Sequence, residues 1–187
     1  MTLYGNVLFT PRLRLRRVTY KDIPTLAAWS NCAIAHGKYL SPHPINEEAG
    51  YLQLESGLFW GEKSKTFVIE IKKGKSIGSI HYWLRSERKE CAVVALKISV
   101  PGERNKGYGT EAQKYLIINL FERLKIDEIE MYTDINNIAQ QRCLTKLGFE
   151  LVDSLTYDDQ KVTRLGSLFR IRRSQYQQSS IYQYYYE

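Results

Sequence analysis

Arg104, Gly107, Gly109 and Thr110 stand at the spacing R-x-x-G-x-G-T, between an apolar run and an amphipathic one. Glycines let the chain take positive φ and approach a ligand closely. Successive backbone N–H groups in such a turn point into one hollow, and a following helix adds partial positive charge. Arg104 and Lys106 contribute full charges. These residue types describe a cradle for a pyrophosphate. Two other phosphate loops fit poorly. A Walker loop needs Lys and then Ser or Thr after its second glycine; Gly102 and Gly107 have the separation, but Tyr108 and Gly109 follow. A dinucleotide fingerprint matches Gly107, Gly109 and Ala112 literally, with Asp134 after the next strand, yet its first glycine must end a strand. Here Pro101 to Lys106 intervene. The plain alternative is a tight strand-to-helix turn with no ligand.

The elements that must hold this loop are legible on both sides of it. CAVVALKISV (91–100) is dense in β-branched residues, as a buried strand requires. Thr110–Leu124 has apolar residues at spacings of three and four, the pattern of an amphipathic helix. IEMYT (129–133) is a strand, so the order strand–helix–strand predicts a parallel pair with a right-handed crossover. Upstream, residues 11–18 read as a strand with Arg12, Arg14 and Arg16 on its solvent face. Asp22 and Pro24 start a helix, 36–48 is a loop, and a weaker helix runs from Glu47 to about Trp60. TFVIEI (66–71) and IGSIHYWL (77–84) form a hairpin around KKGK. Downstream, a short helix spans about Ala139–Leu147 and stops at Gly148. FELVDSL (149–155) and LGSLFRIRR (165–173) are the last strands. The polar, tyrosine-rich segment 174–187 shows no amphipathic period and reads as a poorly ordered end or an interface segment.

The 187 residues suit one domain, placed at 1–173, followed by the tail 174–187. Cys91–Leu96 is the longest apolar run, far short of the roughly 20 residues of a membrane span. The N-terminus lacks the basic start and apolar core of a secretory signal. Three scattered cysteines, Cys32, Cys91 and Cys143, argue against disulfides and against zinc, so no metal is expected, and a reducing cytoplasmic setting is. The net charge of +7 could steer an anionic ligand. The bases are dispersed and no nucleic-acid-reading motif appears, so neither nucleic acid nor membrane is an expected partner.

Taken together, the loop and the later segment NIAQQRCLTKLGF, from Asn137 to Phe149, resemble the GCN5-related N-acetyltransferase (GNAT) superfamily. The resemblance is to its RimJ/RimL type, which modifies protein N-terminal amines. It runs from TPRLRLRRVTYKDIPTL to RIRRSQY. The fold it implies is α/β (α+β): a single mixed, mostly antiparallel central sheet of about seven strands, flanked by about four helices. The fourth and fifth strands form a parallel pair that splays apart. The activity implied is acetyl transfer from acetyl-CoA to a primary amine, a protein N-terminus or a small molecule, by direct attack in a ternary complex. The resemblance assigns Arg104, Asn105, Lys106, Gly107, Tyr108, Gly109 and Thr110 to the pyrophosphate. It assigns Ile98, Ser99 and Val100 to the pantetheine arm, with a backbone N–H near Ser99 or Val100 polarising the thioester carbonyl. Asn137 would contact the pantetheine or hold a water beside it.

The chain departs from the family pattern at three positions. Ala95 stands where many relatives carry an acid, Leu144 where many carry a tyrosine that protonates the thiolate, and Gln140 where this branch often has serine. Acetyl-CoA binding is therefore better supported than any catalytic group. Asp134 and Asn137 are the catalytic candidates, ahead of Glu103, His81, His43, Tyr157, Asp158 and Asp159. Tyr157, Asp158 and Asp159 are placed in a loop between the last strands, where an acidic surface would attract an amine. A homodimer is a candidate assembly. The competing functions are a non-catalytic acyl-CoA-binding domain, motivated by Ala95 and Leu144, and a basic nucleic-acid binder, for which steeply salt-dependent DNA binding would be the sign.

Overall fold

The computed structural model describes residues 7–40, 43–159 and 162–183, the side chain of residue 159 excepted. The chain runs β1 (Val7–Phe9), β2 (Leu13–Arg17), α1 (Ile23–Ser30), α2 (Ala33–His36), α3 (Glu47–Glu55), β3 (Ser64–Ile71), β4 (Ser76–Leu84) and β5 (Cys91–Ile98). Then follow α4 (Tyr108–Glu122), β6 (Glu128–Asp134), α5 (Ile138–Lys146), β7 (Glu150–Asp159), β8 (Val162–Arg172), α6 (Arg173–Gln178) and α7 (Ser180–Gln183). One sheet of eight strands has the order β1-β2-β3-β4-β5-β6-β8-β7. Every neighbouring pair is antiparallel except β5 and β6.

The parallel pair does not stay together. Its register consists of Cys91↔Glu128, Ala92↔Ile129 and Val93↔Glu130. Beyond Val93 and Glu130 the strands part, although β5 continues to Ile98 and β6 to Asp134. Each keeps its antiparallel neighbour over that length, β5 with β4 and β6 with β8. The sheet is thus wedged open between two intact halves.

Side chains alternate across the sheet. Ala92, Val94, Ile129, Met131, Phe169 and Ile171 point to one face, where α4 lays down Ala112, Leu116, Ile117, Leu120 and Phe121. The opposite face receives Val68, under a smaller cluster of Val18, Ile23, Leu26, Tyr51 and Leu54 from the α1–α3 region. Buried carboxylates on this second face are held by guanidiniums. Glu130, 1% exposed, pairs with Arg85, Arg88 and Arg170; Glu70 pairs with Arg14 and Arg16. Arg16 also holds Asp22 at 2.8 Å.

Three sequence expectations change. The sheet gains β1, whose three residues are too short a run to show a period. The last hairpin is longer than expected: Tyr157, Asp158 and Asp159 lie within β7, not in a loop, and residues 160 and 161 lie outside the described residues. The tail folds, as far as 183, into α6 and α7, with Tyr176 and Tyr182 buried against the core; residues 184–187 lie outside the described residues. The Tyr182 hydroxyl donates to Leu147 O at 2.8 Å and that of Tyr176 to Glu122 at 2.9 Å. Among the described residues no helix is long and apolar enough to cross a membrane.

Candidate active site

β5 ends at Ile98, a single 3-10 turn covers Pro101–Glu103, and the chain then turns sharply into α4. The turn rests on two left-handed residues, Asn105 at φ 60° and Gly107 at φ 81°. Asparagine and glycine are the residues that take this conformation most readily. Gly107 is the N-cap of α4, and among the described residues no side chain caps the helix. Glu111 is the first residue whose N–H finds an intrahelical acceptor, Gly107 O at 3.0 Å. The N–H groups of Tyr108, Gly109 and Thr110 therefore open outward, with the positive end of a 15-residue helix behind them. This arrangement fits an anion such as a pyrophosphate.

Of the two cations the sequence places at the loop, Lys106 is there and Arg104 is not. Arg104 is turned away from it. Its Nε donates to Ile98 O at 2.8 Å, and its terminal nitrogen to Ile34 O at 2.7 Å and Ala35 O at 3.1 Å. Arg104 is a clamp that ties α2 to the end of β5. Arg12 takes the place by the loop instead. It donates to Glu111 at 2.6 Å and to Lys106 O at 2.9 Å, and lies 4.6 Å over the Tyr108 ring. A Cβ on Gly107 would meet its guanidinium at 3.1 Å. Burial opposes charge on Glu111, but hydrogen bonds from Thr10 and Arg12 outweigh it and hold that carboxyl below its ordinary range. Lys106 is exposed and paired with Glu103 at 2.9 Å; Glu103 also holds Lys75, and is a surface charge.

The end of β5 carries a second correction. The N–H groups of Ser99 and Val100 both donate to Ile77 O, at 2.8 and 3.2 Å. Neither is free to polarise a carbonyl. In an antiparallel pair the hydrogen-bonding direction alternates along the strand. Ser99 faces β4, so Ile98 and Leu96 face the wedge, where β6 has moved away. Ile98 O is taken by Arg104, which leaves the Ile98 N–H directed into the gap. Among the described residues the buried Ser99 hydroxyl finds no partner, nor does that of Thr133 on β6.

Asn137 is the N-cap of α5, its side chain accepting the Gln140 N–H at 3.2 Å. Asp134 accepts the Asn136 N–H at 2.8 Å on one oxygen, and faces Arg164 at 3.4 Å with the other. Both are turn-forming residues at the mouth of the wedge. Thr110 touches Cys143 at 3.1 Å, and Gln140 donates to Gln113 at 2.8 Å, so α5 is laced to the first turns of α4. Leu144 is fully buried. His43 is exposed, and Asp158 accepts from Thr163 at 3.1 Å.

A model of the acetyltransferase (GNAT) domain matches residues 12–150. The chain is a GNAT-family acetyltransferase. Curated proteins give no match. Solved structures share the fold at low identity. Mycobacterium smegmatis RimJ, in complex with a CoA disulfide, superposes with a TM-score of 0.77 at 17% identity, covering 92% of this chain and 90% of that one. RimL, a ribosomal L7/L12 α-N-protein acetyltransferase in complex with coenzyme A, gives 0.76 at 11% identity over 89% and 98%. A spermidine N-acetyltransferase chimera of Vibrio cholerae SpeG gives 0.75 at 16% identity over 89% and 99%. In this GNAT chain, then, the loop, the wedge and α5 occupy one end of the parallel pair. Arg12 was hidden because its partners lie 94 to 99 positions away.

Proposed function

We propose that the chain transfers the acetyl group of acetyl-CoA to a primary amine, with a protein N-terminus of the RimJ/RimL kind as the acceptor class. The observation that carries this is the juxtaposition of the split between β5 and β6 with the open N–H groups of Tyr108, Gly109 and Thr110. A pyrophosphate at the helix start would let an attached pantetheine arm run into the split. Arg12 and Lys106 would add charge. The backbone of Leu96 and Ile98 would pair with the arm as a missing strand would. The Ile98 N–H would then polarise the thioester carbonyl as negative charge develops there.

The acceptor must lose a proton before it attacks, because an amine is protonated at neutral pH. Its nitrogen then displaces the thiolate, which takes up a proton. The printed substrates of the structural relatives span a ribosomal protein and spermidine. A face whose buried carboxylates are held by arginine offers little to a polyamine, which favours the peptide reading. The test is free-thiol release from acetyl-CoA with a panel of peptides beginning Ser, Thr or Ala, and with spermidine. Turnover with peptides above spermidine is expected. Binding of acetyl-CoA without turnover of any amine would return the chain to a binding-only role.

A further inference from the structure

Transfer needs a group to take the ammonium proton, and β5 carries no carboxylate between Cys91 and Ile98. The nearby carboxylates are committed. Glu130 is held by three arginines, and Asp134 by the Asn136 N–H and Arg164. His81 stands across the strand pair from Ala95. The register places His81 between Ala95 on β5 and Thr66 on β3. Directly opposite residues bring their Cβ atoms within about 5 Å on one face. That face is the one away from α4, because α4 packs on Leu96 and Ile98. The methyl of Ala95 leaves the space above the strand to the longer side chain facing it.

The imidazole is fixed but not consumed. It stacks on Trp83 at 5.2 Å with 22° between the planes. No hydrogen bond is made by either ring nitrogen to a described residue. The residue is half-buried and its ring nitrogens are not sealed away from solvent, so a ligand can reach them. Lys97, two positions along β5 from Ala95, is the charged neighbour on the same face. Burial, reinforced by the Lys97 charge, lowers the His81 pKa to about 4. The ring is then neutral at pH 7, with a lone pair to offer. The same Lys97 charge disfavours an ammonium group placed beside it.

We propose that His81 is the general base of the transfer. Resting on the acetyl-transfer reading above, the step is as follows. An imidazole nitrogen takes one proton from the acceptor ammonium. The freed amine lone pair forms the C–N bond as the C–S bond breaks. The second proton of the nitrogen leaves to the thiolate, and His81 returns its proton to solvent.

The experiment uses the full chain, acetyl-CoA and the panel peptide with the highest turnover. Acetyl-CoA affinity is measured by calorimetry in every variant. His81→Ala is expected to bind acetyl-CoA as the wild type does, and to lose about 100-fold in kcat, the typical size of general-base assistance. Added imidazole should recover part of the loss. His81→Gln, which fills the site but accepts no proton at neutral pH, should be as slow as His81→Ala. Histidine ring NMR on the free protein should show one imidazole neutral down to pH 5. A kcat for His81→Ala within threefold of wild type overturns the assignment, as does a His81→Gln variant that retains the rate. Wild-type protein that binds no acetyl-CoA would instead overturn the transfer reading beneath it.

Discussion

Gly107 meets two separate demands. Its φ of 81° is strained for a β-branched side chain, and any side chain there would press on the Arg12 guanidinium. Gly107→Val is expected to abolish acetyl-CoA binding while leaving the far-UV spectrum of the fold, because α4 is anchored by Leu116, Leu120 and Phe121 well beyond the loop. Arg104 behaves differently. Its guanidinium bonds three backbone carbonyls, so Arg104→Ala should cost about 2 kcal/mol in urea unfolding. Lysine should not restore it, because one ammonium cannot span the fork. The loop glycines were readable because backbone conformation is written locally. The exchange of roles between Arg104 and Arg12 was not, because each guanidinium takes a partner that the fold brings from far along the chain, Ile34 for Arg104 and Glu111 for Arg12.

At the scale of elements, the wedge depends on capping and on pairing. Asn137 closes the N-terminus of α5, and Asn137→Ala should lower stability by about 1 kcal/mol. That loss in the melting temperature, with acetyl-CoA affinity little changed, would mark Asn137 as a cap and not a contact. β4 adds a pH dependence. His81 is depressed to about 4 by burial and Lys97, whereas in the unfolded chain it titrates near 6.5. A base with a lowered folded pKa makes the unfolded state the better proton binder. Stability is therefore unaffected above about pH 7 and falls as pH drops from 6.5 towards 4. Between pH 7.5 and 5 the loss should be about 2 kcal/mol in urea unfolding, and His81→Gln should remove it. The strands and the main helix were legible because β-branched runs and 3.6-residue spacing dictate them. The direction of the N–H groups at Ser99 and Val100 was not, because it follows from which residues pair with Ile77.

At the scale of the whole molecule, the segment 174–183 packs on the core through Tyr176 and Tyr182. Tyr176 stacks on Phe121 at 4.6 Å and Tyr182 lies 4.8 Å from Tyr176. Sequence periodicity misses this because Ser179 breaks the segment into helices of six and four residues, each too short to show a face. Tyr182→Ala should cost 3 kcal/mol or more, roughly the penalty for deleting a buried aromatic ring. Removal of residues 174–187 should lower the melting temperature further. The parallel pair on which the site depends was legible in the strand–helix–strand unit at 91–133.

The central claim is that the open start of α4 and the split between β5 and β6 receive one ligand. Isothermal titration of the protein with acetyl-CoA, alongside the Gly107→Val variant shown by circular dichroism to be folded, tests it most directly. Saturable one-to-one binding to the wild type and none to the variant is the predicted result. Equal binding by both, or binding by neither, would contradict it.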